Sequence, residues 1–159
     1  VGEGAPVINV SLVGPPNAVM EAAIRAAVAR GVLVVAAVGN DGPAAPPRYP
    51  AAYPGVIGVA GVDQRGRVLP ESGRGAHVDF AALADRLPVA SAEGQARARG
   101  TSYAAPLVAG RLAELHPRAT PQSAARALAV VEREARDAGR KGPDPLYGKG
   151  IVRIAPVLQ

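Results

Sequence analysis

Apolar and polar positions in the first part of the chain follow two rhythms. Val7 to Leu12 (Val-Ile-Asn-Val-Ser-Leu) is a short β-branched run that stops at Gly14-Pro15-Pro16, and Val32 to Val38 is an unbroken apolar run. Both have strand length and strand composition, and the second, with no polar position, predicts burial on both faces. Between them Met20, Ile24, Ala27 and Val28 recur at three- and four-residue spacing, the rhythm of a helix stripe. Asn17 offers an N-cap and Gly31 a stop at C′. Strand, helix, strand makes a βαβ unit, whose handedness rule implies parallel strands in one sheet.

Further along, residues 39–54 read as a Pro- and Ala-rich loop, Val56 to Val62 as a third strand, and Gln64 to Gly66 as a turn. An irregular β region is expected from about Val68 to Ala98. Gly100 to Leu115 changes from loop to helix. Thr120-Pro121 opens another helix, with Thr as N-cap and Pro at the first helical position. Its core face would be Ala124, Leu128, Val131 and Ala135, with Glu132, Arg133, Glu134 and Arg136 outward and an end near Gly139. The tail from Leu146 to Gln159 reads as extended, with a last strand around Ile151 to Ile154. There are no internal repeats.

The chain has 159 residues, enough for one domain spanning 1–159. Hydrophobic residues make up 48%, many of them alanine, while aromatics are only 3%, so elements must pack closely on small side chains. That suits a layered α/β fold. No apolar run approaches the roughly 18 to 20 residues of a membrane span. The absence of an initiating Met or a leader-like start makes Val1 read as the continuation of a longer chain. The net charge of +5 comes from Arg and Lys spread along the chain, without the interleaved aromatics that stack on bases, so nucleic acid is not an expected partner. With no Cys, disulfides and thiolate chemistry are excluded. His77 and His116 are far apart and neither has a His or carboxylate four residues on, which argues against a metal pair.

Two stretches carry chemistry. Gly100-Thr101-Ser102-Tyr103-Ala104-Ala105-Pro106 puts a serine at a loop-to-helix junction, beside unpaired backbone N–H groups and the positive end of the helix dipole, where an oxyanion is stabilised. Taken alone, Ser102 could be no more than an N-cap. Gly39-Asn40-Asp41-Gly42 follows the second strand, at the carboxyl edge of a parallel sheet where ligands gather. Alone, that is a common turn.

Together these stretches resemble the subtilisin-like serine peptidases. Gly-Thr-Ser-x-Ala-x-Pro is similar to that family's nucleophile motif, and Leu107-Val108-Ala109-Gly110 continues its helix. Tyr49 to Asp63 and Tyr147-Gly148-Lys149-Gly150 resemble further family segments, so the likeness spans nearly the whole chain. It implies a three-layer, mostly parallel sheet with helices on both faces, lacking the family's N-terminal strands. By the same resemblance Ser102 is the nucleophile and Asn40 an oxyanion donor with the Ser102 N–H. Ser11, Leu12, Val13, Gly14, Gly39 and Thr101 would contact an extended polypeptide substrate. Carbonyls of Ala51, Tyr53 and Val56 would match a weak cation site, with calcium as a structural ion and no cofactor required. Most relatives are exported, which implies a secreted or cell-envelope location.

Departures from the pattern are equally informative. The family's Ser-Leu-Gly-Gly is Ser11-Leu12-Val13-Gly14 here, so a valine side chain would crowd the substrate backbone, and its Ala-Pro-Gly is Ala82-Leu83-Ala84. The family's triad order is Asp, His, Ser, yet neither its aspartate segment nor its histidine helix precedes Ser102. His77 and His116 fall at structural positions. The chain is therefore expected to need a missing N-terminal half as partner and to be inactive alone. The alternative is a non-catalytic pseudoprotease that binds extended peptides by strand addition. A phosphate-cradling reading of residues 39–42 lacks a Gly-x-Gly-x-x-Gly or Gly-Lys-Thr signature and a basic residue near the loop.

Overall fold

The computed structural model describes residues 4–153. Four parallel strands form the central sheet in the order β1 (Val7–Val10), β2 (Leu33–Ala37), β3 (Val56–Val62), β4 (Phe80–Leu83). Register is continuous, with Val7 opposite Leu33, Val34 opposite Val56 and Val59 opposite Phe80. A separate antiparallel hairpin, β5 (Leu87–Ser91) and β6 (Gly94–Ala98), extends from the end of β4.

The helices cover both faces. α1 (Ala18–Ala29) begins at Asn17, whose side chain accepts from the Met20 N–H at 2.9 Å, and Gly31 follows its cap as expected. Ala27, Ile24 and Val28 pack on Val34, Ala36 and Val38, the even side of β2. Across the sheet, α2 (Thr101–Leu115) and α3 (Pro121–Glu134) pack Ala104, Ala105, Val108, Leu112, Ala127 and Val131 on Leu33, Val35 and Ala37. Alanine and valine make up most of both contacts, and such small side chains let the helix axes approach the sheet closely. Where β3 runs beside the 75–79 segment the fit is tighter still: a Cβ at Gly58 would overlap the His77 carbonyl oxygen.

Two expectations need correction, and a segment that departs from the family pattern gains a defined path. α3 ends at Glu134 and not near Gly139, because the Arg136 backbone pairs in both directions with Ile151 (2.9 Å each way) and so cannot continue the helical ladder. The last strand reduces to a bridge at Ile151, which meets both Ala81 and Arg136, while Val152 donates to the Ala81 carbonyl. The remainder of that expected strand, Ile154, lies outside the described residues. The segment Ala82-Leu83-Ala84 continues β4, and Ala84 is bonded to Val62 on one side and Gly100 on the other. No helix among the described residues is long and apolar enough to cross a membrane.

Candidate active site

Ser102 sits in the first turn of α2, where backbone N–H groups have no partner four residues back. The helix is preceded by Gly100 at φ 130°, a conformation open to glycine, and a side chain there would press on the Asn40 amide at 3.3 Å. The Thr101 N–H donates to the Asn40 side-chain oxygen at 2.9 Å and the Thr101 hydroxyl donates to it at 3.1 Å. With that oxygen doubly engaged, the Asn40 amide must present its NH2 group on the opposite side, toward the exposed edge of the site. The Ser102 N–H has no acceptor among the described residues. Two donors without a partner among the described residues thus stand near the Asn40–Thr101 contact, the Asn40 NH2 on the loop after β2 and the Ser102 N–H on α2.

The strand-like segment after β1 is tied to the same point. The Ser11 hydroxyl accepts from the Asn9 side-chain amide at 3.0 Å and donates to the Ser102 carbonyl at 2.8 Å. Gly14 and Tyr49 then exchange backbone hydrogen bonds of 2.8 and 3.1 Å, closing the segment against the 47–50 loop. Between these anchors Leu12 and Val13 project, 76% and 44% exposed. The Val13 side chain faces Gly39 and Arg48, so the small space between residues 12–14 and 38–40 is narrowed from one side.

The decisive comparison covers residues 1–150, which match the profile of the subtilase family. The chain belongs to that family. It is 35% identical over 154 residues to subtilisin BL of Lederbergia lenta, with 94% of this chain and 55% of that protein aligned. It is 30% identical over 149 residues to the minor extracellular protease Epr of Bacillus subtilis strain 168, covering 92% of this chain and 23% of that protein. Among solved structures, the prenylagaramide maturation protease PagA superposes with a TM-score of 0.79 at 26% identity, over 96% of this chain and 60% of that one. The chain thus spans between about a quarter and three fifths of the length of these relatives.

In this subtilase chain the sequence-predicted residues Ser102, Asn40, Gly39 and Ser11 to Gly14 converge on one edge of the sheet. Thr101 departs from expectation: its side chain is wholly buried and grips Asn40, so it orients a donor instead of lining the substrate path. Asn9 was missed by sequence reasoning, since nothing in a strand pattern marks an amide that supports a neighbouring hydroxyl. A basic residue does reach the 39–42 loop, contrary to expectation. Arg48 bonds Asp41 at 2.7 Å, and with Gly42 donating to the Glu71 carbonyl the loop is already occupied by its own contacts.

Neither histidine approaches Ser102. The His116 ring is fully buried, bonded at 2.8 Å to the Ser123 hydroxyl and at 2.8 Å to the Gly31 carbonyl, and so locks α2, α3 and the end of α1 together. His77 lies beyond β3, its Nε2 buried without a partner, and burial pushes its pKa down. It lines a cavity of about 480 Å³ with Ala51, Tyr53, Val56 and Asp79. Burial pushes the Asp79 carboxyl up, offset in part by the Gly58 N–H it accepts at 2.9 Å. The side chains that could meet a ligand there are the Asp79 carboxylate and the His77 imidazole, while the Tyr53 carbonyl accepts the Val56 N–H at 3.1 Å.

Proposed function

We propose that this chain is the nucleophile-bearing part of a serine endopeptidase of the subtilisin type, acting on extended polypeptides through an acyl-enzyme on Ser102. The observation that carries this reading is the orientation of Asn40: Thr101 holds its oxygen from two directions, which leaves its NH2 and the Ser102 N–H as paired donors at the serine. Preorganised donors aimed at developing charge are the largest single contribution in such sites.

In that mechanism the Ser102 oxygen adds to the scissile carbonyl carbon, its proton passing to a general base and the carbonyl electron pair moving onto oxygen between the two donors. Collapse breaks the C–N bond, the base returns the proton to the leaving amine, and water repeats the sequence on the ester. The substrate backbone would lie along Ser11 to Gly14 as an added strand. His77 and His116 are both held elsewhere, so the base and its aspartate are assigned to a segment outside these 159 residues. Alone, the chain has an ordinary alcohol at Ser102 and is expected to be inactive.

A fluorophosphonate probe tests this. Label on Ser102 that appears only after mixing with an Asp- and His-bearing N-terminal subtilase segment supports a divided catalytic domain. No label in the mixture, with both parts folded, turns the reading toward a non-catalytic peptide-binding module, for which the exposed Leu12 and Val13 supply the surface. A structural calcium ion is assigned to the Ala51, Tyr53 and Val56 carbonyls with Asp79. A melting temperature that does not change between calcium and a chelator would remove it.

A further inference from the structure

The two oxyanion donors sit on separate segments, the loop after β2 and the start of α2, and their spacing needs a brace. Asn40 and Thr101 join them directly. A second link lies outside the site. The Arg99 guanidinium, one residue before Gly100, takes Glu71 side-on, with Nε donating to one carboxylate oxygen at 2.6 Å and Nη2 to the other at 3.0 Å. Its third arm, Nη1, donates to Asp85 at 2.8 Å. Glu71 in turn accepts the Gly42 N–H on its main-chain oxygen at 2.9 Å, and Gly73, two residues on, donates to the Gly39 carbonyl at 3.0 Å. Asp85 follows Ala84, whose carbonyl accepts the Gly100 N–H at 2.9 Å. One residue, Glu71, is thus bonded through its backbone to the loop that carries Asn40 and through its side chain to the segment that carries Ser102.

We propose that Arg99, with Glu71 and Asp85, is a positioning group that sets the separation of the Asn40 amide from the Ser102 N–H. The inference rests on the endopeptidase reading for its kinetic consequence, though not for its geometry. Half-exposed ion pairs are ordinarily weak, but a bidentate guanidinium shared by two carboxylates is the arrangement in which geometry is held. The Arg99 guanidinium keeps the Glu71 carboxyl below its usual range, in keeping with a formed pair. None of the three touches the reacting atoms, so their loss acts on transition-state stabilisation and leaves the substrate segment at Ser11 to Gly14 in place.

The test uses Arg99→Gln, Glu71→Gln and the double variant in the complemented enzyme, with Arg99→Lys as the conservative change. Each single variant is expected to lower kcat about tenfold, less than complete loss of an oxyanion donor, with KM nearly unchanged. The double variant should be no worse than either single, because both remove one interaction. Lysine should restore only part, since it cannot reproduce the fork. Unchanged kcat, or kcat and KM shifting together, overturns the proposal. In the 159-residue chain by itself, the Asn40 side-chain amide resonances should move in Arg99→Gln while the melting temperature stays close to that of the parent. Amide resonances that do not move also overturn it. If the parent complemented enzyme hydrolyses nothing, the endopeptidase reading fails, and the amide resonances alone decide the positioning role.

Discussion

β1 and β2 lie side by side in register, and they could hardly be used more differently. Every residue of β2 is buried, with Val35 and Ala36 fully enclosed between helices on opposite faces. β1 is half-buried, pairs only with β2 among the described residues, exposes Asn9, and continues into Leu12, which is 76% exposed. A strand with both neighbours and both faces covered contributes stability. A strand with one edge open retains unused backbone donors and acceptors, the requirement for receiving another strand. Full enclosure and partial exposure are thus separated by a single strand spacing.

The sharpest way to break this contrast is to disturb the inner strands. Gly58→Ala in β3 is expected to cost about 3 kcal/mol, because its Cβ meets main-chain atoms that cannot swing aside; urea unfolding that shows less than 1 kcal/mol of loss would mean that the 75–79 segment moves freely. Val35→Ala should cost about 2 kcal/mol and Val10→Ala about half as much, as the burial of two and of one strand face dictates. Equal losses in thermal melts would erase the distinction between the strands. Leu12→Ser should alter stability by less than about 0.5 kcal/mol while weakening binding of an extended peptide, read by fluorescence anisotropy. Val13→Gly should strengthen that binding by relieving the crowding beside Gly39.

A final prediction concerns pH, at the far side of the sheet. Burial acts to raise the Asp144 pKa, but the Tyr147, Leu146 and Arg140 N–H groups it accepts outweigh this, so its folded value lies below 3.8. The unfolded state then takes up the proton first. The stabilisation from Asp144 is complete above pH 3.8 and is lost as pH falls through the folded value. Asp144→Asn should flatten that acid limb in melts followed against pH, and an unchanged limb would show that other carboxylates govern it.

Much of this was legible in the chain because it depended on local pattern. The bounds of β3, the Asn17 and Thr120 caps and the apolar faces of α1 and α3 follow from periodicity and capping chemistry over a few residues. Ser102 and Asn40 stand out as candidates because their motifs are contiguous. Apart from Asn9, whose partner Ser11 is two residues on, the misses are long-range. Nothing local in Gly139 reveals that Arg136 has been claimed by Ile151, fifteen positions on. Thr101 looked like part of a cleft, and its burial against Asn40 emerges only when two segments meet. Arg99, Glu71 and Asp85 read singly as solvated charges, since ion pairs between loops leave no periodic signal.

The helix that carries Ser102 in its first turn packs beneath all four strands of the sheet and against α3. In hydrogen-exchange terms this places the support of Ser102 in the last unit to open, while the outer edge of β1 and the β5–β6 hairpin open first. The outer edge of β1 can therefore open and re-form repeatedly without disturbing the packing that holds Ser102.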